Sequence, residues 1–184
     1  MKRFSGLLAI VASLAIVGAT VALAGSATLK TFGTGLVTIT GPASATIVND
    51  PGEYGGVYIQ SKSQSGKLLN KVVFQFESRG DVGGGAPRFS LPIDDPATTN
   101  VPSNLDGYAF LDAAGCGATV GPSAGNWLVS TQNPACHVNY QSVDYANWTA
   151  FAAANPTLRT APGYIPFIIA DVAGSYIVTD IALR

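Results

Sequence analysis

Four aspartates carry the oxygen ligands that a calcium ion prefers. Asp94 and Asp95 end one predicted strand, Asp106 precedes the next strand, and Asp112 ends it. Calcium binds carboxylate and carbonyl oxygens in flexible geometry, so its ligands can come from neighbouring loops. The spacing is not that of an EF-hand loop, and aspartate is also an ordinary turn residue. The four side chains are therefore candidate ligands for a structural calcium, while turn formation is the simpler explanation for aspartates at these positions.

Aromatic side chains outside the obvious core are candidates for stacking on sugar rings. An aromatic ring offers an apolar face, and tyrosine and tryptophan add a polar edge. The candidates are Tyr54, Tyr58, Tyr108, Trp127 and Tyr140. The predicted ligand-binding set is Tyr108 and Trp127, with Arg88 and Asn126 as hydrogen-bond partners. Trp127 begins an apolar run, which favours packing in the core over ligand binding for this residue.

Catalysis by a nucleophile and a histidine finds little support in the sequence. His137 is the only histidine and adjoins Cys136, and no Gly-x-Ser-x-Gly motif occurs. A glycosidase needs only two carboxylates, which leaves a carboxylate-dependent hydrolase as an alternative. Sequence alone does not show which two would converge, so no catalytic residue is predicted.

Two cysteines, Cys116 and Cys136, are the only ones in the chain. In an oxidising compartment such a pair favours one disulfide, which closes a loop of about 20 residues and contributes roughly 3 kcal/mol. A metal site is the alternative, but two cysteines and one histidine leave it short of ligands. The sequence therefore predicts the Cys116–Cys136 disulfide and no cofactor other than the calcium.

The N-terminal segment has the pattern of a signal peptide. Lys2 and Arg3 precede an uncharged apolar stretch from Leu7 to Ala24, which ends in small residues suited to a signal peptidase. We predict that residues 1–24 are a signal peptide and that residues 25–184 form one domain of a secreted or cell-envelope protein. Because the stretch approaches the roughly 18 residues that span a bilayer, an uncleaved membrane anchor is the alternative.

The charge of the predicted mature domain excludes one class of partner. Removal of Lys2 and Arg3 from ten basic residues leaves eight against eleven acidic ones, a net charge of −3. No basic cluster is present, and binding to nucleic acid depends on such a cluster to neutralise phosphates. We therefore predict no nucleic-acid partner.

Short runs rich in β-branched and aromatic residues recur between Gly, Pro, Asn and Asp clusters, which is typical of strands and turns. The predicted strands are 36–40, 44–48, 57–60, 71–77, 89–93, 107–112, 127–131, 165–171 and 176–183. In the fourth, Val72, Phe74 and Phe76 share one face, which predicts a sheet with one buried side. Pro92 indicates an edge strand or a strand end. The last two strands, joined by a Gly-containing loop, are expected to form a hairpin.

One segment, Val143 to Asn155, is predicted to be helical. Asp144 is the expected cap, alanines fill the middle, and Asn155-Pro156 ends the segment. Tyr145, Trp148 and Phe151 recur every three residues, which indicates a packing face. About nine strands with one short helix predict an all-β protein, a two-sheet antiparallel β-sandwich of jelly-roll type.

Three segments carry a resemblance to known proteins. Gly80–Phe89, Asp106–Phe110 and Phe167–Gly174 together resemble a group of uncharacterised secreted bacterial proteins of β-sandwich type. Separately, Ile177–Leu183 is similar to the last strand of galactose-binding-like jelly rolls and carbohydrate-binding modules. The first resemblance implies no activity, and the second implies sugar binding.

Three functions are compatible with these observations. The leading expectation is a non-catalytic secreted or cell-envelope module that binds an extracellular partner, a glycan or a cell-surface protein. The first alternative is a structural or assembly protein of the cell surface or extracellular matrix, since charges are few and Gly, Ala and Thr are many. The second alternative is the carboxylate-dependent hydrolase.

Overall fold

Thirteen strands and one short helix form within residues 28–61, 64–99, 104–122 and 125–184, the part of the chain that the computed structural model describes. The strands are β1 (Thr28–Gly33), β2 (Leu36–Gly41), β3 (Ser44–Asn49), β4 (Gly55–Gln60), β5 (Phe74–Gly80), β6 (Arg88–Asp94), β7 (Gly107–Asp112), β8 (Trp127–Ser130), β9 (Val138–Tyr140), β10 (Val143–Tyr145), β11 (Arg159–Thr160), β12 (Phe167–Ala170) and β13 (Gly174–Leu183). The helix, α1, is Trp148–Ala154. The predicted signal peptide, residues 1–24, lies outside the described residues.

The strands form two antiparallel sheets. Sheet A has the order β1-β4-β12-β6-β7-β9-β10, with β11 beside β6, and sheet B has the order β2-β3-β13-β5-β8. Within them, β4-β12-β6-β7 is packed against β3-β13-β5-β8, and the chain alternates between the sheets as in an eight-stranded jelly roll. The predicted all-β, two-sheet sandwich of jelly-roll type is confirmed.

The core lies between the sheets and is built from alternate residues of each strand. Ile59 and Phe89 of sheet A and Phe76 of sheet B are fully buried. The rings of Phe74 and Phe89 stack across the two sheets with 3.4 Å between centroids. Full burial of one such side chain contributes about 1.5–3 kcal/mol, so this alternation is a major stabilising feature of the sandwich.

The predicted strand 71–77 is confirmed in its buried face but not in its start. Val72, Phe74 and Phe76 are all buried. The strand begins only at Phe74, because Leu69–Lys71 form a 3-10 turn in which Leu69 enters the core.

Pro92 lies in an interior strand, so its predicted edge position is wrong. Strand β6 has β7 on one side and β12 and β11 on the other. The Ala161 N–H donates to the Pro92 carbonyl, and the Ala161 carbonyl accepts from Tyr164 instead of from residue 92. The carbonyl that would otherwise accept from residue 92 therefore has another donor, so the sheet tolerates the missing N–H of proline at this point.

The predicted C-terminal hairpin is also wrong. Strand β12 pairs with β4 and β6 in sheet A, whereas β13 pairs with β3 and β5 in sheet B. The short connection crosses from one sheet to the other, and the Tyr176 hydroxyl donates to the Val172 carbonyl at 3.1 Å. A glycine-containing loop can join two strands of one hairpin or two strands of different sheets. Here β12 and β13 each pair with strands distant in the chain, so the loop connects the two sheets.

The predicted helix is shorter than expected. Val143–Tyr145 pairs with β9 as strand β10, and α1 begins only at Trp148. The Asn147 side chain, not that of Asp144, caps the helix by accepting the Ala150 N–H at 2.9 Å. Trp148 is buried on the packing face of α1, as expected. No helix within the described ranges is long and apolar enough to cross a membrane.

Candidate ligand-binding face

The outer surface of sheet A carries a band of aromatic rings, here called the aromatic face. The period of two along each strand directs these side chains away from the core, because they alternate with fully buried residues such as Val57, Ile168 and Ala109. Its members are Phe32 of β1, Tyr58 of β4, Phe167 of β12, and Tyr108 and Phe110 of β7.

Strand register joins these rings into one band. Tyr58 lies directly opposite Phe167, with 6.0 Å between ring centroids. The Phe32 ring is 4.4 Å from Tyr58, the Phe167 ring is 5.5 Å from Tyr108, and Tyr108 is 6.3 Å from Phe110. All five rings are only partly buried. The band therefore crosses the sheet from its β1 edge to β7 and is open to solvent.

Tyrosine hydroxyls lie along one border of the band. Burial raises the pKa of Tyr108 above its usual value, and the neighbouring Tyr164 and Tyr58 hydroxyls add to this effect. A phenol with a raised pKa stays protonated at neutral pH, so it can both donate and accept a hydrogen bond. Tyr164 itself is exposed. This border therefore offers neutral hydroxyl groups beside apolar rings.

A bidentate ion pair lies at the other border. Arg88 Nη1 donates to Asp171 Oδ1 at 2.9 Å, and Arg88 Nη2 lies 2.7 Å from Asp171 Oδ2. The guanidinium carbon is 5.2 Å from the centroid of the Phe110 ring. Both charged side chains are partly accessible. The pair fixes a donor and an acceptor edge beside the aromatic band while largely cancelling its own net charge.

Two buried polar atoms at this face have no hydrogen-bond partner among the described residues. They are Ser90 Oγ and Arg88 Nε. Ser90 lies opposite Phe167 on one side and Phe110 on the other, and its relative exposure is 0 %. An unsatisfied buried polar group costs about 1–3 kcal/mol, so hydrogen-bonding capacity is left unused beneath the aromatic face.

The structure brings together only part of the predicted ligand-binding set. Tyr108 and Arg88 belong to the aromatic face. Trp127 begins β8 at the edge of sheet B and packs against the core on the same side as the buried Val129. Asn126 is exposed next to it. Trp127 and Asn126 therefore share no surface with Tyr108, and core packing accounts for Trp127.

Of the other three tyrosine candidates, only one lies on the aromatic face. Tyr58 lies in the aromatic face, whereas Tyr140 is buried on the inner side of sheet A. Burial, together with Asp106 and Asp95 nearby, raises the pKa of Tyr140 to about 12. Tyr54 is exposed in the turn before β4. Tyr140 is therefore a core residue and not a stacking platform.

The four aspartates predicted to bind calcium do not converge. Asp94, Asp95 and Asp106 lie where β6 ends and β7 begins. Asp112 lies opposite Arg88 in the strand register, at the other end of these two strands. At about 3.3 Å per residue, the two ends are roughly 17 Å apart. One ion cannot contact both groups, so the four-carboxylate site is not assembled.

The same carboxylates have other partners. Asp94 Oδ2 lies 2.6 Å from Arg159 Nε, Asp106 Oδ2 accepts the Asp95 N–H at 2.7 Å, and Asp112 Oδ1 accepts the Gly115 N–H at 2.8 Å. Among the described residues, no group of three or more His, Cys, Asp or Glu side chains is placed to hold a metal ion. The turn-forming alternative describes what Asp106 and Asp112 do.

The predicted disulfide between Cys116 and Cys136 is confirmed. It joins the segment after β7 to the segment before β9 and thereby ties two loops at one end of the sandwich. His137 follows directly, and its Nδ1 lies 3.0 Å from Asp144 Oδ2 with both side chains exposed. This pair bridges β9 and β10 at the surface.

A cleft also runs along α1, and none of its lining residues belongs to the aromatic face. Its volume is about 470 Å3, and Asn70, Gln132, Thr149 and Ala153 are among its lining residues. Its lining contains no charged side chain, and Trp148, its one aromatic residue, is buried. The aromatic face is therefore the stronger candidate site.

Sequence reasoning missed Phe32, Phe167 and Asp171. A phenylalanine in a strand favours the core, and Phe167 adjoins the equally apolar Ile168, so alternation did not show which one faces outward. Asp171 becomes a site residue only because β12 places it beside Arg88, 83 positions away. No protein-family model, curated protein or solved structure matches the chain, so any functional conclusion depends on this geometry.

Proposed function

We propose that this protein is a non-catalytic, exported β-sandwich module that binds a glycan through the aromatic face. The observation that carries the proposal is the continuous band of partly exposed rings from Phe32 to Phe110, bordered by hydroxyl groups and by the Arg88–Asp171 pair. The fold itself carries no such implication, because one architecture serves many functions.

The chemistry of the band matches a sugar chain. Aromatic rings cover the apolar C–H faces of pyranose rings, and removing this area from water contributes roughly 25 cal/mol per Å2. Tyr108 and Tyr164 offer hydroxyls to the polar edges of the sugar, and the Arg88–Asp171 pair offers both a donor and an acceptor. Because Arg88 is paired with a carboxylate, the face carries little net charge at this border, which favours a neutral polysaccharide.

Two further observations support an extracellular setting. The Cys116–Cys136 disulfide is compatible with an oxidising compartment. Lys2, Arg3 and the apolar stretch that follows have the pattern of an export signal. Both agree with a glycan that lies outside the cytoplasm.

The test is binding of the purified, disulfide-bonded protein to a panel of neutral and acidic polysaccharides in native affinity gels, followed by calorimetry with those that retard it. Phe167→Ala and Tyr108→Ala each remove one ring of the aromatic face, and we expect each to weaken binding about tenfold or more, equivalent to about 1.4 kcal/mol. Ile177→Ala, an exposed apolar position on the outer side of sheet B, is the matched control and should bind as the wild type does.

Retardation of the wild type by a neutral polysaccharide, lost in the two ring variants and kept in the control, would support the proposal. A wild type that binds no polysaccharide, or ring variants that bind as well as the control, would refute it. Circular dichroism of each variant separates loss of binding from loss of fold.

A further inference from the structure

The two sheets have four edge strands, β1 and β10 in sheet A and β2 and β8 in sheet B. Three of the four carry features that discourage pairing with another chain. Strand edges expose unpaired N–H and C=O groups, and proteins protect them with charge, proline or shortness. Strand β10 has 3 residues and β8 has 4. Strand β1 carries Lys30, a charged side chain at the edge of sheet A.

Strand β2 has none of these protections. It runs for 6 residues, Leu36–Gly41, without a charged residue or a proline, and the irregularity in its pairing with β3 is confined to its end, between Ile39 and Gly41. Its centre is the β-branched run from Val37 to Thr40, which has high β propensity. Leu36 is 68 % exposed and Ile39 is 42 % exposed. An uncharged, apolar strand of this length at a sheet edge is a template for strand addition.

The occupant that fits this edge is a second copy of the same strand. In the segment Leu36-Val37-Thr38-Ile39-Thr40, the β-branched aliphatic residues Val37 and Ile39 lie symmetrically on the two sides of Thr38. In an antiparallel pair centred on Thr38, Val37 lies opposite Ile39 of the second copy, and Leu36 lies opposite Thr40. Threonine pairs and aliphatic pairs of this kind stabilise antiparallel strands, and no like charges meet.

The side-chain faces agree with this register. Val37 and Ile39 pair with the fully buried Ile47 and Ala45 of β3, so they point toward the core side of sheet B. Ile39 is nevertheless largely exposed, because the sandwich is open beyond β2. Pairing with a second β2 would cover Ile39 with Val37 of the other copy and close this opening.

We propose that the protein forms a two-fold dimer through antiparallel β2–β2 pairing about Thr38, which joins two five-stranded B sheets into one ten-stranded sheet. The proposal does not depend on the glycan, because β2 is in sheet B and the aromatic face is on the outside of sheet A. Strand β2 would then be the element through which the chain assembles, as the alternative of an assembly protein requires.

The test uses charge at the centre of the pair. The Thr38 side chain is exposed, so Thr38→Lys and Thr38→Glu should both fold, but each places two like charges opposite each other in a dimer. Sedimentation equilibrium of the full chain over a range of concentrations should show a dimer for the wild type and a monomer for each variant. An equimolar mixture of the two variants should restore the dimer, because lysine then lies opposite glutamate.

Ser175→Lys is the matched control, since Ser175 is exposed on the same outer side of sheet B but in the interior strand β13. This variant should remain dimeric. A wild type that is monomeric throughout, a dimer that persists in both Thr38 variants, or a mixture that stays monomeric would overturn the proposal. Thermal unfolding of each variant confirms that a change in mass does not reflect loss of fold.

Discussion

The two outer surfaces of the sandwich are built on the same alternation but carry different side chains. The outer side of sheet A presents five aromatic rings. The outer side of sheet B presents aliphatic, hydroxyl, amide and charged side chains, namely Leu36, Thr38, Thr46, Val48, Gln75, Glu77, Arg79, Leu128, Ser175, Ile177 and Thr179. Strands accept either set, because β propensity reflects fit to a pleated, half-buried surface.

This difference indicates that the rings of sheet A are not required for folding. Sheet B folds with aliphatic and hydroxyl side chains at the equivalent outward positions, and its interior strands fully bury core-facing side chains such as Ile47, Phe76 and Val178. Five partly exposed rings in one band are therefore a property of one surface and not of the architecture. The proposed binding function would account for this asymmetry, and the following predictions test it.

The largest effect is expected inside the sandwich. Phe74→Ala removes a fully buried ring that stacks on Phe89, and it should lower the free energy of unfolding by about 3–5 kcal/mol. Tyr58→Ala on the aromatic face should cost much less, because the Tyr58 ring is already partly in solvent. Urea unfolding of both variants measures the difference. Equal destabilisation by the two substitutions would mean that the aromatic face is a second core.

An intermediate effect should report on the inner side of sheet A at alkaline pH. Burial raises the pKa of Tyr140 to about 12 from a usual value of 10.0, so the folded state keeps a proton that the unfolded state loses above pH 10. The resulting stabilisation is present below pH 10 and is lost as the pH rises toward 12. The urea midpoint of the wild type should therefore fall over this window.

Tyr140→Phe removes this ionisation and should make the fall shallower without abolishing it, because burial also raises the pKa of Tyr108 and of Tyr176. Tyr54→Phe, in an exposed turn, is the control and should leave the fall unchanged. Unfolding curves measured between pH 9 and pH 12 compare the three proteins. A fall that is equally steep in Tyr140→Phe would contradict the assignment.

The smallest effect on stability should come from the ion pairs, one on each outer surface. Arg88 pairs with Asp171 beside the aromatic face, and Arg79 pairs with Glu77 on sheet B at 2.8 Å. Asp171→Asn and Glu77→Gln should each change the free energy of unfolding by about 1 kcal/mol or less, because both pairs are accessible to solvent.

Binding should nevertheless distinguish the two pairs. Asp171→Asn should weaken polysaccharide binding several-fold, because Arg88 loses the partner that fixes its orientation, while Glu77→Gln should leave binding unchanged. Calorimetric titration of both variants with the same polysaccharide measures this. Identical affinities would remove the Arg88–Asp171 pair from the proposed site.

The sequence predicted the sandwich strands well where alternation was regular. Val72, Phe74 and Phe76 are buried as expected, and strands β2 to β8 lie within a few residues of their predicted positions. Strands β1, β9 and β11 were missed, because they are short or carry mixed patterns without a clear apolar face. Strand β10 was assigned to the helix, since Tyr145 continues the spacing of Trp148 and Phe151.

The candidate site was predicted only in part, for a physical reason. Tyr108 and Arg88 were identified by residue type, but Phe32, Phe167 and Asp171 come from strands that are far apart in the chain. Phe167 adjoins the equally apolar Ile168, so the sequence did not show which of the two side chains faces outward. The four aspartates were expected to lie together because they are close in the chain, but the length of β7 separates Asp112 from the other three.

By itself, the sequence determined that the chain folds as a β-sandwich with a disulfide, because period-two alternation and turn residues act over a few neighbouring positions. Only the tertiary structure decided which strands pair, that β12 and β13 belong to different sheets, and which rings meet on the outer surface. Strand pairing joins residues separated by more than 100 positions, as between β4 and β12, and no local pattern records such a choice.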